Sequence, residues 1–508
     1  MSDILKGLIA AHRNTGFDHT IAWYDDKVIA YPVPPQEILS TFTIREKKLE
    51  CSAKTKWKQE VVYDILEPYE ILELGEDKFF ITYQGFYHKL LRSMLIRYIT
   101  CNCIDLRYAN DKKGVYPKPD FRLMGGFRFS QRELITNGLL KGMSGLIGAC
   151  TRYGKTTLII NTLKAFPTLS TVVVAPGVDL VKQLYDDING PRGIPKGSRE
   201  VKLICTGRGR TPAMTTGGIT VCSADSLDKC DYNNTELLLA DEPHSLVTAN
   251  RLEKINAFTR ARRIGFGATL KGRFDGRDSL ITGLFGPVLV ERTYKEAVAE
   301  GAVCPLSIIF LKVQLPQKAF RDRNSAYNSL LFHNPDMMTL ANRICKEVIP
   351  QDWQTMVFIK DETQAEMLLE AMNDDATIAM AKRMTNKERS EVDQLMKQNI
   401  IKRCLCTKIY VQGVTFSDVR VLLNLEGGGN NTSAIQKPGR LAEIRPGKKC
   451  GIVIDLLFTT AGGHSGNSSA YALCIDSKNR KKAYEEIGYD IHVVDNITEL
   501  KSTFDSLC

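Results

Sequence analysis

No apolar run in these 508 residues is long enough to cross a bilayer, and the first residues lack the layout of a signal peptide. A membrane-spanning or exported protein is therefore not expected. Cysteine never gathers at metal-ligand spacing. Of 14 cysteines, Cys101/Cys103 and Cys404/Cys406 form C-x-C pairs, and neither has a second cluster at zinc-finger distance. We read them as reduced thiols in a reducing cytoplasm, with a metal or a disulfide as the alternative. Short-period repeats and long low-complexity runs are also missing. What remains is ordinary for a globular protein: 43% hydrophobic and 25% charged residues, enough for large cores in two to four domains. Net charge is 68 − 58 = +10, which fits a polyanionic partner, though many basic proteins bind none.

The chain is organised around Gly148-Ala149-Cys150-Thr151-Arg152-Tyr153-Gly154-Lys155-Thr156-Thr157. A short apolar run precedes it and a helical pattern (Leu158, Ile159, Ile160, Leu163) follows. That is strand, loop and helix, with Gly-Lys-Thr where the helix opens. Backbone N–H groups converge on an anion in such a layout. Lys155 would reach the β- and γ-phosphates of a nucleotide, and the Thr156 hydroxyl would ligate Mg²⁺. Ala149 stands where the pattern G-x-x-x-x-G-K-[ST] has its first glycine, with Gly148 one place early. The alternative is an incidental turn entering a helix.

Residues 1–122 read as a small separate α+β domain. Thr20–Tyr24 with Val28–Tyr31, and Tyr69–Leu74 with Lys78–Tyr83, predict two hairpins. A helix follows, with Tyr87, Leu91, Met94, Leu95 and Tyr98 on one face and Lys89 and Arg92 on another. From 85 to 120 there are seven Lys/Arg against three Asp, interleaved with four tyrosines. The mixture suits phosphate contact with base stacking. A solvated basic face over an aromatic core accounts for it as well. Pro117, Pro119 and Gly125-Gly126 mark a linker.

From 123 to 300, short β-branched runs alternate with amphipathic helices. Thr171–Val174, Val201–Cys205, Ile219–Cys222, Glu236–Ala240 and Arg263–Gly267 are predicted strands. A second unit, 301–508, repeats the alternation with strands at Leu306–Val313, Met356–Ile359, Arg403–Thr407, Val419–Leu425 and Gly451–Leu456. Helices are expected near Met337–Val348 and Lys387–Lys397. This pattern predicts parallel sheets with ligands at the strands' C-terminal ends, where the polar clusters fall. The tail after about 460 is Gly/Ser-rich, then basic (Lys478, Arg480, Lys481, Lys482), and predicts no role.

Asp241-Glu242 at the end of an apolar strand can divide two tasks. Asp241 would hold a metal ion, and Glu242 would orient and deprotonate an attacking water. His244 could sense the γ-phosphate. Taken alone the pair reads as a solvated acidic turn; the upstream phosphate loop favours function. Arg440, within Gln436-Lys437-Pro438-Gly439-Arg440, could stabilise a transferring phosphoryl group, or be a surface arginine at a helix start. Gln131 could pair with adenine.

Together these residues resemble the DExH-type helicases of superfamily 2, and within them the phage UvsW-like recombination helicases, over roughly 123–460. The resemblance implies two tandem RecA-like domains with parallel sheets. It implies ATP and Mg²⁺ as cofactors, and DNA that is single-stranded, forked or branched as partner. Gln131 matches the adenine-reading glutamine. Thr151, Gly154, Lys155, Thr156 and Thr157 fall in the first motif. Pro176, Gln183 and Ser223 fall in motifs along the DNA path. Asp241, Glu242 and His244 match the second motif, and Gly267-Ala268-Thr269 resembles the third. Phe358-Ile359-Lys360 resembles the fourth. Thr407 and Gln412-Gly413-Val414 resemble the fifth, with Gly413 toward the nucleotide and Thr407 toward DNA. Gln436, Gly439 and Arg440 match the sixth, with Gln436 and Arg440 in catalytic roles.

Two positions depart from the pattern. Glu443 stands where the sixth motif commonly has a second arginine, with Arg445 displaced by two. Thr415 stands where the fifth often has an acid. The resemblance therefore implies an ATP-dependent DNA helicase acting on branched DNA. An RNA helicase and a passive nucleic-acid scaffold with a vestigial site are the alternatives. A restriction-complex motor subunit also fits the motifs, although no nuclease cluster is evident.

Overall fold

The computed structural model describes residues 1–24, 27–51, 59–106, 117–141, 144–205, 215–268, 270, 277–316, 318, 320–380, 386–407, 419–429, 437–445, 447–460 and 471–508. The chain divides into two compact units. The first comprises Met1–Leu49, Val61–Ala149 and Gly154–Arg292; the second comprises Glu50–Glu60, Cys150–Tyr153 and Thr293–Cys508.

The first unit opens with a mixed five-stranded sheet. Its order is Tyr69–Leu74, Asp77–Tyr83, Lys27–Tyr31, His19–Tyr24 and Cys101–Asp105, with only the last pair parallel. Both predicted hairpins are present. Alternation along the strands sends Ile21, Val28, Ala30 and Phe80 to one face and Ala22, Ile29, Phe79 and Ile81 to the other. The helix Tyr87–Leu95 covers the first face with Leu90 and Met94, and the helix Ser2–Arg13, which no sequence pattern announced, covers the second with Leu5 and Leu8.

The predicted helix face was partly wrong. Leu95 is 68% exposed and Tyr98 94% exposed. The helix ends at Leu95, and Tyr98 adopts a left-handed φ of 59°, so neither continues the apolar stripe. Lys89 is not on a solvated basic face either. Its Nζ lies over the Phe42 and Phe86 rings, 4.7 and 5.3 Å from the centroids, and donates to the Thr41 carbonyl at 2.6 Å. Much of the remaining basic stretch lies outside the described residues.

This sheet is fastened to the helix Asp278–Phe285 by close backbone approach. A Cβ on Gly85 would stand 1.8 Å from the Thr282 carbonyl oxygen, and one on Gly283 would stand 2.9 Å from the Phe86 ring. Gln84 Nε2 donates to the Leu284 carbonyl at 3.4 Å, and Arg277 pairs with Glu46 at 2.8 Å.

The rest of the first unit is a seven-stranded, all-parallel sheet. Its order is Val201–Ile204, Ile219–Ser223, Thr171–Ala175, Leu237–Asp241, Arg262–Gly267, Gly145–Ala149 and Val288–Arg292. The central strands are buried throughout, because helices cover both faces and no face is left for polar residues. The second unit repeats the plan in the order Thr377–Met380, Arg403–Cys406, Gln354–Phe358, Val419–Asn424, Gly451–Thr460, Leu306–Leu315 and Asp490–Val494, again all parallel. The architecture is thus two tandem RecA-like α/β sheets with a small mixed-sheet domain before them. The basic tail forms the helix Tyr471–Ile487, the edge strand Asp490–Val494 and the helix Ile497–Leu507.

The Gly85 contact gives the first prediction. Because Thr282 offers backbone rather than a flexible side chain, Gly85→Ala should destabilise the first unit by about 1–3 kcal/mol. A thermal melt with the wild-type midpoint would contradict this docking.

Candidate active site

The site grows from three neighbouring strand ends. Gly145–Ala149 and Leu237–Asp241 flank Arg262–Gly267 on either side. Gly148 is still within its strand, opposite Glu291, whose Cγ leaves 2.8 Å for a Cβ. It serves strand pairing, and the loop begins after Ala149. Left-handed conformations then fall on Arg152 (φ 70°) and Gly154 (φ 99°). The φ of Gly154 favours glycine, and a Cβ there would sit 2.4 Å from Gln131 Nε2, so that side chain would have to shift. Gln131 is 1% exposed, and its Oε1 accepts from the Arg128 N–H at 2.8 Å.

The helix Lys155–Ala165 starts directly after Gly154, with Thr157 N–H donating to the Gly154 carbonyl at 2.9 Å. The dipole of this helix favours an anion at its N-terminus. Thr156 and Thr157, in that first turn, are partly accessible.

Glu242 has φ 52° and ψ 64°, a left-handed conformation that costs a non-glycine residue about 1–3 kcal/mol. Pro243 disfavours the right-handed helical region for the residue before it. The Glu242 N–H donates to the Phe266 carbonyl at 2.9 Å, and Ser245 returns its N–H and hydroxyl to the Glu242 carbonyl at 2.9 and 2.8 Å. Gly265 and Gly267 make room for Pro243: a Cβ on either would lie 3.0 or 3.3 Å from its ring.

This backbone aims the Glu242 carboxylate at Lys155, whose Nζ is 2.6 Å away, and at His244, whose Nδ1 is 3.3 Å away. Lys155, Glu242 and His244 are each only 14–16% exposed. Burial opposes ionisation of Glu242, but Lys155 and His244 outweigh it and hold the carboxyl down to about 2. Asp241 goes the other way. Burial, then the charge of Glu242, pushes it up to about 6. Its Oδ1 is buried and has no hydrogen-bond partner among the described residues. An anionic oxygen with nothing to satisfy it is the donor a divalent cation needs, and the Thr156 hydroxyl is the other oxygen expected to serve it.

The structure therefore brings together Gln131, Gly154, Lys155, Asp241 and Glu242. Of the residues proposed for a DNA path, Pro176 follows the strand Thr171–Ala175, and Gln183 is exposed on the helix Val178–Asn189. Ser223 ends its strand buried, its hydroxyl donating to that of Ser226 at 3.0 Å. In the second unit Thr407 follows Arg403–Cys406 and is buried, its hydroxyl without a hydrogen-bond partner among the described residues. Arg440 lies in the short turn Pro438–Leu441, and Arg445 pairs with Glu443 at 2.6 Å. Thr151 is in the loop after Ala149. Thr269, Gly413 and Gln436 lie outside the described residues. Sequence reasoning missed Lys437 and Arg480, both buried ions of the second unit. Lys437 was quoted only as part of the sixth motif, and Arg480 was indistinguishable from the basic run around it.

Two family models match this chain in succession. The family described as type III restriction enzyme, res subunit, matches residues 127–272, and the helicase conserved C-terminal domain matches residues 340–445. Across these two segments the chain resembles the superfamily 2 helicases. Among curated proteins, this chain is 25% identical over 246 residues to putative helicase 22 of a Sulfolobus islandicus filamentous virus, a match covering 44% of this chain and 43% of that one. It is 23% identical over 356 residues to the DNA 3'-5' translocase XPB2 of Sulfurisphaera tokodaii, covering 63% and 78%. The chain thus spans less than half of the first of these relatives. Among solved structures, T4 UvsW aligns over 94% of this chain and 99% of its own, at 13% identity and a TM-score of 0.38.

The Asp241 shift yields a stability prediction. A folded-state value raised from 3.8 to about 6 means the fold prefers the protonated carboxyl, so stability falls as pH rises from about 4 through 6. Asp241→Asn should therefore raise the metal-free melting temperature at pH 8, by at most about 3 kcal/mol of stability, and leave it unchanged at pH 4. An equal effect at both pH values would contradict the burial of an unmet charge.

Proposed function

We propose that this chain is an ATP-driven DNA helicase or translocase that remodels branched DNA. The observation that carries the motor reading is the Lys155–Glu242 ion pair beside the unpartnered Asp241 oxygen. Lys155 and the helix opening would hold the triphosphate, and Gln131 would read the adenine. Asp241 and Thr156 would hold Mg²⁺, which when bound neutralises charge on the phosphates.

Glu242 would take the proton of the attacking water. Paired with Lys155 it is a weak base, held at about 2. A phosphate that draws Lys155 away removes the main force keeping that value low, and the carboxylate becomes basic only when substrate is present. His244, already 3.3 Å from Glu242, is placed to respond to that exchange. Arg440 of the second unit would stabilise charge on the γ-phosphate, with Gln436 and Gly413 contributing to the same centre and Arg445 as the second candidate cation.

DNA is favoured over RNA by the relative named a DNA translocase and by the resemblance to phage recombination helicases. The net charge of +10 supports binding through phosphates along Pro176, Gln183, Ser223 and Thr407. Phosphate contacts carry little base identity, so affinity should fall steeply as salt rises. The domain boundaries 1–122, 123–300 and 301–508 are part of this proposal, with the first segment as an accessory DNA-binding domain.

The test is ATP hydrolysis by the full chain with no nucleic acid, single-stranded DNA, forks, four-way junctions and RNA. Lys155→Ala and Glu242→Gln should each lower kcat at least 100-fold. Stimulation should be largest with branched DNA. Wild-type turnover in either variant would remove the motor reading, and stimulation by RNA alone would move the substrate to RNA.

A further inference from the structure

The second unit contains a buried chain of charges that the motor reading does not use. Arg480, on the tail helix Tyr471–Ile487, is 2% exposed. It grips Asp455 with two bonds, Nε to Oδ2 at 3.0 Å and Nη2 to Oδ1 at 2.8 Å, and Asp455 is fully buried. Asp455 also accepts from Asn424 Nδ2 at 3.0 Å and from the Tyr484 hydroxyl at 3.3 Å. Asn424 in turn accepts at Oδ1 from Lys437 Nζ at 3.2 Å, and Lys437 pairs with Glu426 at 2.7 Å. Lys437, 3% exposed, is the residue from which the turn Pro438–Leu441 starts, and its carbonyl accepts the Arg440 N–H at 3.1 Å. Arg480 also donates to the Gly428 carbonyl. The same helix lies against Gly429, where a Cβ would meet Asp476 Oδ1 at 2.5 Å.

We propose that Arg480 is a positioning residue for Arg440: the tail helix fixes the arginine-bearing turn through Asp455, Asn424 and Lys437. Charge must balance locally, because Asp455, Arg480 and Lys437 are all buried. Asp455 and Lys437 share Asn424 as a neighbour, and Lys437 is held between Asn424 and Glu426. While Arg480 neutralises Asp455, Lys437 stays with Glu426. Without Arg480 the buried anion at Asp455 is uncompensated, and Lys437 is a cation within one side chain of it. Lys437 then moves toward Asp455, and the turn that begins at Lys437 moves with it. The tail is thereby part of the arginine's support. This inference rests on Arg440 acting at the phosphates.

Two variants test it. Arg480→Gln should lower the kcat of nucleic-acid-stimulated ATP hydrolysis at least 10-fold, with KM for ATP within about 2-fold of wild type. Amide hydrogen exchange across 437–445 should speed up in the same variant. Asp455→Asn combined with Arg480→Gln removes both charges and should restore kcat to within about 3-fold and exchange to the wild-type rate. Lys481→Ala, an exposed charge on the same helix, serves as control and should change neither. The proposal is overturned if Arg480→Gln folds with wild-type kcat and wild-type exchange in 437–445. It is also overturned if the neutral pair folds yet keeps the kcat and exchange defects of the single variant. Exchange reads the turn without reference to turnover, so an inactive wild type would remove the motor reading and still leave this one decided.

Discussion

Two adjacent carboxylates at the end of one strand cannot both be comfortable in a nearly closed space. Asp241 and Glu242 resolve this unequally, through a single cation. Lys155 is 2.6 Å from Glu242, which it keeps ionised, while Asp241 is left with an unsatisfied oxygen and a raised affinity for protons. Much of the local fold exists to hold that inequality. Gly154 lets Gln131 and the helix opening approach each other, and Gly265 and Gly267 admit Pro243. Pro243, with the Phe266 carbonyl, keeps Glu242 in its left-handed conformation. Under the proposed function the unmet charge would be relieved by a ligand rather than by the protein, as expected where stability is traded for chemistry.

The two parallel sheets treat buried charge in opposite ways. Around Lys155 and Glu242 the side chains remain about 15% exposed, so their pairing can be exchanged for a phosphate. Arg480 and Asp455 are 3% and 0% exposed, with both carboxylate oxygens occupied, and nothing from solvent can replace either partner. A closed ion pair adds little net stability over apolar packing, yet breaking one side of it is strongly unfavourable. Such a pair is suited to specifying one arrangement of the elements it joins. The open pair is suited to switching.

Where the sequence was legible, the physics was simple. Parallel strands buried on both faces read as continuous apolar runs, so Thr171–Ala175, Leu237–Asp241 and Gly451–Thr460 could be placed to within a few residues. Edge strands carry that signal less evenly: Val201–Ile204 was readable, and others were not. Val288–Arg292, Thr377–Met380 and Asp490–Val494 sit at or next to solvent, alternate irregularly and were not anticipated. The helix Tyr87–Leu95 was found, but its face was misjudged because Tyr98 satisfies helical spacing beyond the point where the helix ends. At the site, Gly-Lys-Thr and Asp-Glu were readable because they follow strands at fixed offsets. The Lys155–Glu242 distance and the left-handed Glu242 were not, since both depend on Pro243 packing over glycines of another strand. Arg480 was invisible for a different reason: one buried arginine among exposed lysines has the same composition as a solvated basic face.

The departure at Glu443 takes on a meaning in this light. The acid standing where the sixth motif commonly carries a second arginine forms an ion pair with Arg445 at 2.6 Å, so that cation is partly neutralised within its own segment. Arg440 has a different footing. Its turn starts at the buried Lys437, whose carbonyl accepts the Arg440 N–H, and its Pro438, Gly439 and Leu441 are buried. A cation meant to meet a transition-state charge gains more from a fixed position than from proximity alone, because reorganisation at the moment of reaction is avoided. On that criterion Glu443 does not weaken the arginine arrangement. Under the proposed function it holds the competing cation within its own segment and leaves Arg440 for the phosphate.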